Sequence, residues 1–301
     1  MSQFPISGVY AAATTALDPD LAPNPAAHAA HVAWLLAQGC DGVAPLGTTG
    51  EAMSFSVAER QRILEDLLAA GTPPDRILLG TGAASITDST ALTQHALAHG
   101  VHTVLVLPPF YYKGMSDDGL YAAYAQLING VADDRLRIML YHIPHISGIA
   151  ISHQLIARLI TDFPDTVIGI KDSSGKWDNL EQMVAAFPGF AVMTGADPLV
   201  ARLLEIGGAG CITGGANAMP ATLAALYRGY RAGAPVDALM EQVTALRNLS
   251  TSLPQVATLK ALVAHTSGDD GWRRCRPPLM PLDDRDFARI GAEYDAIFAK
   301  T

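Results

Sequence analysis

Residues 137–171 read RIMLYHIPHISGIAISHQLIARLITDFPDTVIGIK, and the change of period inside this segment decides the fold class. It opens on a short aliphatic run, 137–142, passes through Pro144 and Gly148, continues as an amphipathic stretch over 152–161, and closes on a second aliphatic run, 167–171. Two buried strands joined by a helix are the simplest account, because a parallel pair needs a crossover of helical length. Working outward, the same alternation recurs. Further strand candidates lie at 9–15, 42–45, 76–80, 103–107, 191–194 and 210–213, with helix-like stretches at 24–38, 56–70, 86–98, 117–131 and 179–186. In 56–70 the residues Val57, Ile63, Leu64, Leu67 and Leu68 approximate a helical stripe, and Ser56 with Glu59 forms a capping-box signature. Eight such units close most naturally into an α/β fold, a (β/α)8 TIM barrel.

The eighth unit ends near Arg231, and about 70 residues remain without a strand pattern. Segments 237–249, 256–265 and 284–300 read as helices, separated by Pro254 and by Pro277-Pro278. The expected organisation is therefore a barrel over 1–231 and a C-terminal helical extension of the same domain over 232–301, with no linker or internal repeat between them.

Composition narrows the function. Half the residues are hydrophobic, which excludes a disordered chain, and 20 Lys and Arg against 29 Asp and Glu give a net charge of -9 without the basic face a nucleic-acid binder needs. Cys40, Cys211 and Cys275 lie far apart and suggest neither a zinc knuckle nor a disulfide framework. The N-terminus lacks a leader pattern and no apolar run has the length of a membrane span, so a cytoplasmic protein with no nucleic-acid or membrane partner is expected.

In a parallel barrel, chemistry gathers at the carboxyl ends of the strands. The second run is followed by Gly47-Thr48-Thr49-Gly50-Glu51, a turn that can hold a small carboxylate on its backbone N–H groups or be a plain Gly/Thr turn. The sixth ends with Lys171-Asp172-Ser173-Ser174. A lysine among apolar neighbours can attack a carbonyl; the competing reading pairs Lys171 with Asp172. Tyr141, at the end of the fifth run, can serve as a phenolic acid and base or be a core tyrosine held by a carbonyl. After the fourth comes the stiff aromatic loop Pro108-Pro109-Phe110-Tyr111-Tyr112-Lys113-Gly114, which can close over a site, meet another subunit or cap the barrel. Gly195 to Asp197 and Gly207 to Asn217 follow the seventh run and bracket the eighth, as loops where backbone can approach a ligand.

Together, GTTGE at 47–51, YHIPHISG at 141–148 and GIKDSSG at 169–175 resemble the dihydrodipicolinate synthase and N-acetylneuraminate lyase superfamily of pyruvate-dependent class I aldolases, over nearly the whole chain. The resemblance implies that Lys171 forms an imine with pyruvate or another 2-oxo acid, that Tyr141 is the acid and base, and that Thr48 links it to a second tyrosine. Tyr111, or Tyr112 one residue on, matches that tyrosine, which reaches across from a neighbouring subunit. Thr49 and Gly47 match the carboxylate cradle, and Gly195 and Ile212 match backbone positions lining the site. A homo-oligomer, a dimer of dimers, and no cofactor or metal are implied.

Departures from the pattern point to the substrate. Where dihydrodipicolinate synthases carry an arginine for the second carboxylate, this chain has Ile146; where the sialic-acid lyases carry a glutamate, it has Pro198. The sequence sits nearest the 2-keto-3-deoxy sugar-acid aldolases, with Asp197, His142 and Thr213, alongside His145 and Ser147, as candidate partners for a hydroxylated tail. A synthase condensing pyruvate with aspartate semialdehyde, a 2-keto-3-deoxy acid dehydratase, a non-enzymatic 2-oxo-acid sensor, and a metal-dependent aldolase using His142 with His145 or His28 with His31 are the alternatives.

Overall fold

The structure is a computed structural model that describes residues 6–299. Residues 1–5, part of the stretch read above for a leader, and Lys300, the expected end of the last helix, lie outside the described residues. Eight strands run β1 (Gly8–Ala11), β2 (Gly42–Val43), β3 (Leu79–Gly80), β4 (Thr103–Val106), β5 (Arg137–His142), β6 (Val167–Asp172), β7 (Ala191–Thr194) and β8 (Gly210–Thr213). They lie in the order β2-β1-β8-β7-β6-β5-β4-β3, with parallel pairing, and form a (β/α)8 barrel with a C-terminal helical part. The twelve α-helices among the described residues are α1 (Pro25–Ala37), α2 (Val57–Ala69), α3 (Ile86–Ala98), α4 (Asp117–Val131), α5 (Pro144–Ser147), α6 (His153–Asp162), α7 (Trp177–Ala186), α8 (Val200–Glu205), α9 (Pro220–Arg231), α10 (Asp237–Ser250), α11 (Gln255–Ser267) and α12 (Asp284–Phe298). None is long and apolar enough to cross a membrane.

Local chemistry sets these boundaries. Asn24, Ser56, Ser85, Ser116, Ser152 and Asp283 each accept a backbone N–H of the first turn that follows, and Ser56 with Glu59 completes the expected capping box. β1 is shorter than the apolar run suggested because the chain beyond Ala12 bonds elsewhere: the Thr14 N–H donates to Asn217 Oδ1 and the Thr15 hydroxyl to the Gly50 carbonyl. β3 is shortened by Pro73 and Pro74, which start a single 3-10 turn over Pro74–Arg76.

The chain divides into two compact units. One comprises the chain up to Gly8 and Pro73–Ile212. Its strands are almost wholly apolar and buried, as a parallel sheet covered on both faces requires, and β7 has all four residues buried. Register sets Tyr141 of β5 beside Lys171 of β6, and His142 beside Asp172. Since alternate side chains leave opposite faces of a strand, these are two rows on two faces.

The other unit comprises Val9–Thr72 and Thr213–Thr301. Ala16, Val263, Ala264 and Trp272 form a core there, flanked by Ala27 and Phe287. The Tyr294 hydroxyl of α12 donates to the Ala218 carbonyl at 2.8 Å. Within α11 Lys260 is fully buried, and its ammonium meets Glu51 Oε1 at 2.5 Å.

Candidate active site

In the first unit, β6 carries Lys171 at a strand end with 4% of its surface exposed. Its Nζ lies 4.3 Å from the centroid of the Tyr141 ring and has no hydrogen bond or ion pair among the described residues. The rival reading, a lysine neutralised by Asp172, does not describe this geometry: Asp172 Oδ1 accepts from the Ser174 N–H at 2.6 Å and Oδ2 from Asn179 Nδ2 at 2.7 Å. Lys171 and Tyr141 thus form an amine and a phenol ring in contact, on the strand face opposite the Asp172 network.

Gly195, after β7, is required by this arrangement. Its N–H donates to the Asp172 carbonyl at 2.7 Å, and a Cβ there would stand 2.0 Å from Ser173 Oγ and 3.2 Å from Lys171 Cε. The glycine makes room for the lysine stem and for Ser173, a residue the sequence motif contained but to which no role was attached. Ile212 is fully buried, and so is Asp197, which opens the 3-10 turn Asp197–Leu199.

His142 is also buried, while His145 and Ile146 are exposed on α5. The Ile151 N–H donates to His142 Nδ1 at 3.0 Å, so His142 belongs to the row of Asp172 rather than that of Tyr141 and Lys171. Burial, more than any neighbouring charge, lowers its pKa. His153 and Asn179 join the same network, with His153 Nε2 donating to Asn179 Oδ1 at 2.9 Å.

The aromatic loop leaves Tyr111 74% and Tyr112 72% exposed, edge to face with each other at 5.3 Å. Its base is tied down by the Lys113 ammonium, which donates to the Phe110 carbonyl and, at 2.7 Å, to the Ser147 carbonyl.

In the second unit, the turn Gly47-Thr48-Thr49-Gly50-Glu51 is held by Glu51 N–H to the Thr48 carbonyl at 3.1 Å and Ala52 N–H to the Gly47 carbonyl at 3.2 Å. Leu46 and Glu51 sit in the left-handed region, with φ of 58° and 57°, so the turn is backbone-strained at both ends. Glu51 is fixed by Lys260 and by the Arg276 N–H at 3.3 Å. A Cβ on Gly214 would stand 3.1 Å from Thr49 Oγ1, which places the loop after β8 against that threonine. Thr213 is fully buried and its hydroxyl has no partner among the described residues.

Of the pair His28 and His31, weighed above as metal ligands, His31 has a hydrogen-bond partner, whereas the buried Nε2 of His28 has none among the described residues. His31 Nε2 meets Asn217 Oδ1 at 2.9 Å, and its ring stacks near Trp34 and Trp272. Burial holds His28 at a pKa of about 3 and His31 at about 4, with the charges of His31 and Lys260 adding to the effect on His28. Asn217, which ends the Gly215-Ala216-Asn217 stretch that with Pro220 resembles the 2-keto-3-deoxy sugar-acid aldolases, is fully buried. It accepts from His31 and Thr14 and donates to the Ala12 and Gly214 carbonyls.

Residues 5–294 match the model of the Dihydrodipicolinate synthetase family. An uncharacterized DapA-like lyase of Chloroflexus aurantiacus is 37% identical over 87% of each chain, and a 4-hydroxy-tetrahydrodipicolinate synthase of Agrobacterium fabrum is 31% identical over 84% of this chain and 85% of that one. The crystal structure of dihydrodipicolinate synthase from Agrobacterium tumefaciens superposes with a TM-score of 0.89 at 34% identity, covering 97% of this chain and 99% of the other. Barrel, strand-end lysine and relatives define a (β/α)8-barrel lyase. The chain belongs to the dihydrodipicolinate synthetase family.

Proposed function

We propose that this lyase is a pyruvate-dependent aldolase that cleaves a 2-keto-3-deoxy sugar acid reversibly into pyruvate and an aldehyde. The observation that carries the reading is the buried Lys171 amine, without an ion-pair partner among the described residues, against the Tyr141 ring. The amine adds to the C2 carbonyl and water leaves, giving a protonated imine. A base removes the proton of the C4 hydroxyl, the C3–C4 bond breaks, and its electron pair flows to the imine nitrogen. The aldehyde departs, C3 of the enamine takes up a proton, and hydrolysis returns the lysine with pyruvate. Tyr141 is assigned the proton transfers, as the hydroxyl-bearing side chain in contact with the amine.

The turn Gly47 to Glu51 is assigned the substrate carboxylate, on the strength of its N–H groups and the Thr49 hydroxyl. Thr48 and Tyr111 are assigned the proton path; the 74% exposure of Tyr111 supports a role against a neighbouring subunit of a homotetramer. Ile146 favours an uncharged tail, because an exposed isoleucine offers no donor to a second carboxylate. The names of the Agrobacterium relatives favour a second reading, condensation of pyruvate with aspartate semialdehyde.

The test is borohydride reduction in the presence of pyruvate, followed by peptide mass analysis and turnover of both substrate classes. An adduct on Lys171 with release of pyruvate from 2-keto-3-deoxy acids supports the aldolase. An adduct with turnover of aspartate semialdehyde alone supports the synthase, and no adduct removes both.

A further inference from the structure

We propose that Lys260, in the C-terminal helix α11, is a positioning residue for the substrate carboxylate: through a buried ion pair with Glu51 it holds the turn Gly47 to Glu51 in the conformation that takes that carboxylate. The inference rests on the assignment of this turn to the carboxylate made above. Turn and helix belong to the same compact unit, Val9–Thr72 with Thr213–Thr301.

The turn has a shape that its own residues resist. Leu46 and Glu51, both buried, keep left-handed φ values of 58° and 57°, which non-glycine residues hold only where their surroundings impose them. Gly50 packs tightly between them: a Cβ there would stand 2.8 Å from the Ala13 carbonyl oxygen and 2.9 Å from Leu46 N, and the Gly50 carbonyl accepts the Thr15 hydroxyl at 2.8 Å. Gly47, by contrast, is open, with nothing within 4 Å of where its Cβ would be. The N–H groups of Thr49 and Gly50 meet no acceptor among the described residues, so they remain for a ligand.

Helix α11 reaches this turn at two points. Lys260 is fully buried and its ammonium meets Glu51 Oε1 at 2.5 Å, while Glu51 Oε2 accepts the Arg276 N–H at 3.3 Å, so both oxygens of the carboxylate are held. One residue earlier, Leu259 packs on Gly214. A Cβ on that glycine would lie 2.7 Å from Leu259 Cδ1 and 3.1 Å from Thr49 Oγ1, which sets Gly214 between the helix and the threonine. A buried ion pair is a poor means of gaining stability, since a well-packed apolar pair of similar volume often does as well. What the pair adds here is direction. The Glu51 carboxylate must point at a fixed ammonium, and this constrains the backbone that carries it, including the N–H groups of Thr49 and Gly50 just before it.

The test compares two ketones that differ in the carboxylate. The full chain is incubated with pyruvate or with acetone in the presence of cyanoborohydride, which reduces imines in preference to ketones, and the adduct on Lys171 is followed by peptide mass analysis. Where neither ketone traps, calorimetric titration with each reads the same preference. Wild type should favour pyruvate. In K260M that preference should fall about tenfold or more, because a turn displaced by about 1 Å loses its hold on the carboxylate, while the acetone reaction stays within about threefold. The double variant K260M with E51L, which leaves no unpaired charge, should recover stability but not the preference. Where K260M alone does not fold, this double variant and E51Q carry the comparison. A wild type without preference for pyruvate removes the assignment of the turn and this proposal together. A wild-type preference that survives in the variants, or acetone trapping that falls as far as pyruvate trapping, overturns this proposal alone.

Discussion

The buried histidine pair of α1 makes stability depend on pH in a window where carboxylates are silent. His28 and His31 are held neutral in the folded chain, with pKa values of about 3 and about 4 set first by burial, whereas in the unfolded chain each titrates near 6.5. The unfolded state therefore binds more protons throughout the interval between those values, and stability falls as the pH drops through 6.5 toward 4. Each histidine accounts for about 2 kcal/mol between pH 7 and pH 5, so the pair removes roughly 3–4 kcal/mol, a large part of the stability of a typical domain. Lowered by burial, His142 acts in the same direction. Urea unfolding at both pH values, at fixed ionic strength, measures the difference. In His28→Leu, whose lost Nε2 has no partner among the described residues, about half of the pair's share is expected to disappear. Equal stabilities at pH 5 and pH 7, or a His28→Leu chain with the full wild-type loss, would refute the linkage.

Further consequences can be measured at single positions. Lys260→Met leaves Glu51 as a buried charge without its counter-ion, an expected loss of about 3–5 kcal/mol by denaturant unfolding. The double variant Lys260→Met with Glu51→Leu should recover most of it, and additive losses would show that the pair is not coupled. Gly195→Ala forces a Cβ to 3.2 Å from Lys171 Cε and against Ser173, so imine trapping by borohydride should slow by about tenfold or more while stability changes by only about 1–3 kcal/mol; an unchanged trapping rate would contradict the close approach. Tyr141→Phe keeps the ring against Lys171 and removes the hydroxyl, so turnover should fall by about 100-fold or more with folding intact, and full turnover would take the proton transfers away from Tyr141.

How legible the fold was in the sequence depended on how local the deciding forces are. The expected and observed limits coincide for β5, β7 and β8 and for α3 and α4, where an apolar run or a helical stripe is bounded by turn residues or caps within one turn. They part where a distant residue takes over. β1 stops short because Asn217, some 200 residues away in sequence, captures the Thr14 N–H, and no pattern near residue 14 announces that. The short helices α5 and α8, at four and six residues, are too brief to show a period. The Lys260–Glu51 pair joins positions 209 apart, and no local pattern links the end of the Gly47–Glu51 turn to a lysine inside α11.

At the candidate site the same distinction separates what sequence conveys from what it leaves out. That Lys171 and Tyr141 both stand at strand ends was legible from the motifs, and register brings them side by side. The surroundings of His142 were less so, although the signal was present: in a strand, the residue after Tyr141 must leave by the opposite face. That rule, applied to β5 and β6 together, splits each strand end into an amine with its phenol on one face and a histidine with its carboxylate on the other. Asp172 follows Lys171 directly, and its carbonyl receives the N–H of Gly195, whose missing Cβ makes room for the lysine stem.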